Sequence, residues 1–322
     1  ARLGHKFPPH RVGTNWTHCF VTKYLDRLSM YTVQPLDTTR ACGVNPTTNS
    51  AWFELLRKVL KKGDSGKLIA PECCWGVDES GFQSGLGDTQ EKAIGRKGKK
   101  IQYQQQDGDR ENITIIVTIG ADGLSTPPAV IFKGKGYQTK WKQDNPSNAL
   151  LGYSKKGWTN GKIGQLWIQQ FNKFTREKAN GRTQVLFVDG YNSHYTQGFL
   201  KYARIHNIHI LCYLSHLTQI YQGLDVMVFS VLKRFWIEEC DWWEREEGEK
   251  VSKQNFLAVY GHAHICALTP TLIKMAFQKT EVWPYDPSVV STEMLAPSIE
   301  TLCKGILPLV PSTPIRIIGK LM

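Results

Sequence analysis

Val185-Leu186-Phe187-Val188-Asp189-Gly190 is the stretch on which the fold turns: four consecutive apolar residues, then an acid, then a glycine. A strand with one wet face alternates apolar and polar residues, whereas an unbroken apolar run fits a strand covered on both faces. Such strands belong to α/β folds, and ligand-binding groups collect at their carboxyl ends. Asp189 stands at such an end. Cys73-Cys74-Trp75-Gly76-Val77-Asp78 repeats the grammar, a short apolar run closed by an acid. Ile208 to Leu214 reads as another buried strand, and Asp225 opens the helical segment that follows it.

Further out, Asn112 to Gly120 is rich in β-branched residues, and Pro128 to Phe132 follows across Ala121-Asp122-Gly123, a hairpin-type turn. Gly164 to Lys178 has helical spacing through Leu166, Trp167, Phe171 and Phe174. Thr196 to His206 sets Phe199, Leu200, Tyr202 and Ala203 on one side of a second helix. A long helix is expected from Gly223 to about Gly248 with Val228, Leu232, Phe235 and Trp236 inward, then two more over Gln254–Leu268 and Thr271–Gln278. Upstream, Trp52, Leu55, Leu56, Val59 and Leu60 form a helical stripe stopped near Gly63, and Val12, Trp16, Phe20 and Tyr24 recur every four residues. Residues 26–49 read as a linker, and the chain after Pro284 is rich in Pro, Ser and Thr. Three strands, then helix, strand, helix, strand, helix, describe an α/β fold with a mixed sheet flanked by helices.

The composition is that of a globular chain: 322 residues, 41% hydrophobic, 21% charged. Forty Lys and Arg against 28 Asp and Glu give a formal charge of +12. That excess draws polyanions, because each neutralised phosphate releases counterions. It favours nucleic acid without excluding chromatin, ribosomal or membrane-surface roles. The eight cysteines form no CxxC pair and are scattered, which reads as reduced, intracellular thiol. No apolar run approaches the roughly 20 residues of a membrane-spanning helix, so no membrane partner is expected. The chain opens at Ala1 on a basic segment, which suggests a fragment of a longer protein.

Asp78, Asp189 and Asp225 are the acids that such a sheet would gather. Three converging carboxylates repel one another and need a cation, and hard oxygen ligands suit Mg²⁺ or Mn²⁺. Two such ions clamp the attacking and leaving oxygens of an in-line phosphoryl displacement.

The motifs also carry a family resemblance. Trp75-Gly76-Val77-Asp78-Glu79-Ser80-Gly81-Phe82 resembles the first-aspartate block of pogo-type DNA transposases of the DDE superfamily. Ile119-Gly120-Ala121-Asp122-Gly123 with Pro127 to Gly134 resembles the strand pair that follows it, and Val188-Asp189-Gly190-Tyr191-Asn192-Ser193-His194 the second-aspartate motif. Gln222-Gly223-Leu224-Asp225-Val226 resembles the third, and Ala276 to Pro284 the closing helix. The resemblance covers roughly residues 10 to 290 and implies an RNase H-like (retroviral integrase-like) fold. It further implies metal-dependent DNA strand cleavage and transfer, with Asp78, Asp189 and Asp225 as the catalytic, metal-binding triad. Double-stranded DNA, as transposon ends and target, is the implied partner, a homodimer is one assembly it allows, and the nucleus is the implied compartment. Val12-Gly13-Thr14-Asn15-Trp16 onward resembles the last helix of a centromere protein B-like helix-turn-helix domain, so residues 1–30 are expected to be its truncated remnant. Residues 31–66 follow as linker and helix, 67–285 as the catalytic domain and 286–322 as a tail. Gly223 stands where Pro is usual, Glu281 where Gly is usual, and Ser215-His216 where Pro-His is usual.

Among weaker signals, His194 is a candidate for the metal's outer shell or the scissile phosphate. Arg11, Asn15 and Lys23 at the amino end, and the basic runs containing Lys97, Lys99, Lys133 and Lys135, are candidate DNA contacts that would position the backbone without reading sequence. Glu79 adjoins Asp78 but points to the opposite face of a strand. His206, His209, Cys212 and His216 only mimic a zinc cluster, since side chains an odd number apart on a strand diverge. Gly85-Leu86-Gly87 lacks a third glycine at the right step, so no nucleotide cofactor is expected. The rival readings are a domesticated, inactive DNA-binding or chromatin protein that keeps the fold, and a nuclease that hydrolyses without strand transfer.

Overall fold

The computed structural model describes residues 16–24, 46–83, 112–142, 144–190, 196–213 and 218–288. The chain divides into two compact units, residues 1–38 and 39–322. The described part of the first is one helix, α1 (Trp16–Lys23), with the rings of Phe20 and Tyr24 5.0 Å apart. Val12, Arg11 and Asn15 lie outside the described residues.

The described residues of the second unit hold six strands: β1 (Cys74–Gln83), β2 (Asn112–Gly120), β3 (Ala129–Lys133), β4 (Leu150–Ser154), β5 (Gln184–Val188) and β6 (Ile208–Cys212). They form one sheet in the order β4-β3-β2-β1-β5-β6. β2 is antiparallel to both neighbours, and the remaining pairs are parallel. The carboxyl ends of β1, β3, β4, β5 and β6 therefore share one edge.

Two sequence expectations need correction. Among the described residues, four strands, not three, lie before the helix that starts at Gly161. β4 escapes notice because it is five residues long, half-buried throughout apart from exposed Tyr153, and holds a glycine. That glycine is spatially required, since a Cβ on Gly152 would lie 2.7 Å from Ile131 Cδ1. The second correction concerns β1, which continues past Asp78 to Gln83 because its ladder with β2 runs unbroken from Trp75↔Gly120 to Gln83↔Asn112. Asp78 is thus a mid-strand residue.

Helices cover both faces. α3 (Gly161–Ala179) and α4 (Gln197–Ile205) pack Trp167, Ile168, Phe171, Phe199 and Ala203 against Trp75, Val77, Leu186 and Val188. α3 starts earlier than its apolar spacing suggests, because Asn160 caps it by accepting from the Lys162 and Ile163 N–H groups. Leu166 and Phe174, expected inward, are exposed. The opposite face carries α2 (Pro46–Leu60), α5 (Phe229–Glu246), α6 (Phe256–Ala267) and α7 (Pro270–Thr280). In α2 the expected stripe holds at Trp52, Leu56, Val59 and Leu60, but Phe53 is buried in place of Leu55, which is exposed. Helix α6 is buried nearly all round, as an apolar helix in a core must be. Its Tyr260 ring packs 5.3 Å from Phe82, and its hydroxyl shares a hydrogen bond with His264 Nδ1 at 3.0 Å.

Candidate active site

Register brings the acids together. The parallel pairing of β1 with β5 ends at Gly76↔Phe187. That register, carried two residues further, sets Asp78 opposite Asp189 and, by the period of two, on the same face. The β5–β6 pairing ends at Val188↔Cys212, and Tyr213 N–H donates to the Val188 carbonyl at 2.9 Å. Tyr213 is therefore the next residue in that row. Its ring packs 6.0 Å from Phe187 and 5.4 Å from Trp52, within the core under α2 and α5 to α7.

Asp225 arrives from the chain that follows β6. It lies in a π-helical turn, Leu224–Val228, in which Phe229 N–H reaches back to the Leu224 carbonyl. Such wide turns insert an extra residue into a helix and re-aim its side chains. As an acid in a first turn, Asp225 also sits in the favourable end of the helix dipole. Gly223, just before it, lets this turn rest on α7: a Cβ there would lie 2.7 Å from the Ala276 carbonyl oxygen. Gln222 is buried beside it, and neither amide atom has a partner.

The electrostatics follow from this crowding. Asp78 is 7% exposed, and burial pushes its carboxyl well above the ordinary range, with the charges of Asp225 and then Asp189 adding to the rise. One bond opposes them: Glu79 N–H donates to Asp78 Oδ1 at 2.8 Å. Tyr213 is held protonated by burial, then by Asp78 and Asp225. Asp78 thus feels the other two acids across one corner of the sheet. Among the described residues, no group of three His, Cys, Asp or Glu side chains is close enough to hold an ion. The other two acids are electrostatic neighbours of Asp78 without the three forming a closed cage. Their donors are hard oxygens beside the buried Asp78 carboxyl, which suits a divalent cation.

Glu79 takes the opposite face, as strand geometry demands, and accepts a hydrogen bond from Thr159. Lys133 and Lys135 are exposed at the carboxyl end of β3. Lys23 ends α1, its Nζ 5.6 Å from the Tyr24 ring centroid. Lys97, Lys99 and His194 lie outside the described residues. His209 is half-buried on β6, and Cys212 turns its thiol to the Tyr213 carbonyl. Tyr213 was missed at the sequence level. Its signal is parity: it continues the alternation from Leu211, but only the strand pairing shows what it stands beside.

Comparison with known proteins places this geometry. A family model described as DDE superfamily endonuclease matches residues 110–277, just over half of the chain. The match takes in Asp189 and Asp225, while Asp78 precedes it on β1. A protein of Cochliobolus lunatus, named as the MFS-type transporter clz9, is 30% identical over 229 residues. That alignment takes in 70% of this chain but only 25% of that protein, so the chain spans about a quarter of the curated relative's length. No single described helix here is long and apolar enough to cross a membrane. The crystal structure of the Mos1 mariner paired-end complex with Mn aligns at a TM-score of 0.53 and 9% identity, over 88% of this chain and 70% of that one. The shared architecture is the RNase H-like mixed sheet. With the family model matched across the β2-to-α7 span, the chain belongs to the DDE superfamily endonucleases.

Proposed function

We propose that this chain is the catalytic part of a pogo-type DNA transposase that cuts and rejoins DNA strands. Residues 67–285 form its catalytic domain, and residues 1–30 the end of a helix-turn-helix DNA-binding domain. What supports the reading is the parallel β1–β5 register, which carried two residues on sets Asp78 opposite Asp189, with Asp225 within electrostatic reach of Asp78. Asp78, Asp189 and Asp225 would hold Mg²⁺ or Mn²⁺, which polarise a phosphate and stabilise the attacking and leaving oxygens when bound. The mariner complex similar in fold was crystallised with Mn, which supports a divalent ion here.

The chain's own contribution is positioning. β1 and β5 fix two carboxylates through backbone ladders, and the π turn presents the third. Tyr213, kept neutral, closes the floor of the corner and adds no competing charge. Lys133 and Lys135, on the same sheet edge, supply positive charge for the backbones of transposon ends and target. A homodimer that pairs two ends, working in the nucleus, completes the reading. Sedimentation of the purified chain and imaging of a tagged copy test those two assignments.

The deciding experiment is cleavage of DNA by purified protein in Mg²⁺ or Mn²⁺ beside Asp189→Asn, which keeps the side-chain size but removes the charge. Low salt strengthens backbone binding. Metal-dependent nicking that disappears in the variant supports the reading, and joining of free 3′ ends separates a transposase from a nuclease. No cleavage by either protein, together with no metal-induced rise in melting temperature, overturns it in favour of an inactive chromatin protein.

A further inference from the structure

The sheet end that closes β3 and β4 has a second feature. Where β3 and β4 end side by side, an open groove of about 670 Å³ is lined by Lys135, Tyr153, Lys155, Lys156, Trp158 and Asn160, among others. Between Gly123 and Ile163 the sequence holds seven lysines and a single acid, Asp144. Among the described residues, no carboxylate pairs with Lys135, Lys155 or Lys156. Trp158 is 57% exposed and Tyr153 44% exposed in the same groove. Two large rings left in water among unpaired lysines mark a binding surface rather than a solvated face.

The turn that presents them is firmly held. Gly157 N–H donates to the Ser154 carbonyl at 3.1 Å, with Lys155 and Lys156 at the tip. Gly157 has a φ of 76°, and a Cβ there would meet Lys133 Cβ at 3.1 Å, so the turn demands glycine. Ser154 Oγ donates to the Trp158 carbonyl and Thr114 Oγ1 to the Gly157 carbonyl, each at 2.8 Å. Thr159 donates to Glu79, the residue after Asp78. The turn is thereby fastened to β2 and to the strand that carries the first acid. Groups fixed in advance lose little freedom when they bind.

We propose that this groove holds an unpaired segment of the DNA strand being processed, with Trp158 and Tyr153 stacking on bases and Lys135, Lys155 and Lys156 contacting phosphates. The inference rests on the DNA-processing reading for the identity of the polyanion. A duplex offers phosphates but hides its base faces, so lysines alone would serve it. Exposed rings gain a partner only from unstacked bases. Thr159 of the same groove bonds Glu79, so a strand held by the rings lies beside β1.

The test is fluorescence anisotropy with a labelled 20-mer single strand and its blunt duplex, in EDTA and low salt, on the Asp189→Asn protein. Binding is then read without catalysis, so failure here stays distinct from failure of the cleavage assay. Trp158→Ala should weaken single-strand binding about tenfold, the typical value of one base–ring stack, and change duplex binding less than twofold. Trp158→Phe should restore most of the loss. The pair Lys155→Ala and Lys156→Ala should weaken both DNAs and lower the single-strand salt slope by about 1.4. Both rings are exposed, so unchanged melting temperatures confirm that the variants fold. Equal affinities for Trp158→Ala and its parent, equal loss on both DNAs, or selective binding of single-stranded RNA would each overturn the proposal.

Discussion

Acid should loosen this protein through one histidine. His264 is 5% exposed in α6, and burial lowers its pKa from 6.5 to about 4. In the unfolded chain the same ring takes a proton near 6.5, so between those values the unfolded state binds more protons and stability rises with pH. The stabilisation from keeping the ring neutral is complete above 6.5 and is lost as pH falls toward 4. Across the whole window this is worth about 3 kcal/mol, and between pH 8 and pH 5 about 2 kcal/mol. A loss of that size lowers the melting temperature by roughly 4–8 °C. The loosening bears on function because Tyr260, bonded to His264, packs on Phe82, four residues beyond Asp78 on β1. Other groups titrate in the same range, and Asp78 acts in the opposite direction, so the measurement is a difference. Urea unfolding of wild type and His264→Gln, which keeps an acceptor for Tyr260 but no titrating ring, would be followed at pH 8 and pH 5. The wild type should lose about 2 kcal/mol more than the variant over that interval. A pH-independent difference between the two proteins would refute the assignment of a buried, neutral imidazole.

Three further outcomes are expected. Asp78→Asn should raise the midpoint of the metal-free protein at pH 7, because the wild-type carboxyl, displaced upward, costs stability as pH rises from 3.8 through its folded-state value; a lower midpoint in EDTA would contradict the crowded-acid picture. Glu281→Gly should stabilise by up to about 1 kcal/mol, since Glu281 caps α7 with φ 49° and ψ 25°, where a side chain is strained; thermal unfolding reads this as a rise of about 2–4 °C. Gly223→Pro should destabilise by about 1–3 kcal/mol through overpacking against the Ala276 carbonyl, although the φ of −58° suits proline; an unchanged chemical midpoint would show that α7 yields without cost.

The last two bear on what the sequence could reveal. The departures at Glu281 and Gly223 are visible as odd residues in familiar motifs, but their meaning is spatial. One is a left-handed cap, the other a close approach between segments some 50 residues apart in the chain. The strands β2 and β5 were legible because burial on both faces leaves unbroken apolar runs. The acids were legible because charge at the end of such a run is conspicuous. Asp78 was placed correctly on its strand but wrongly at its end, since the apolar run stops where the ladder with β2 does not. Tyr213 and the groove around Trp158 were illegible for a common reason. Each depends on which strands lie side by side and in what register, and no local pattern encodes that. β4 was lost because a short half-buried edge with a central glycine lacks the alternation by which strands are recognised.

The position of β1 in the sheet sets a timetable for the growing chain. Its ladder with β2 closes within the first 120 residues, but its other side waits for β5, whose Val185 pairs with Cys74. At synthesis rates of roughly 5–20 residues per second, that edge stays bare for about 5–20 s after β1 emerges. A hydrophobic strand edge exposed for so long invites pairing with other nascent chains. The partnership that levels Asp78 with Asp189 therefore also makes the half-made protein dependent on chaperone cover, and truncation before residue 184 should give aggregates, not a smaller folded unit.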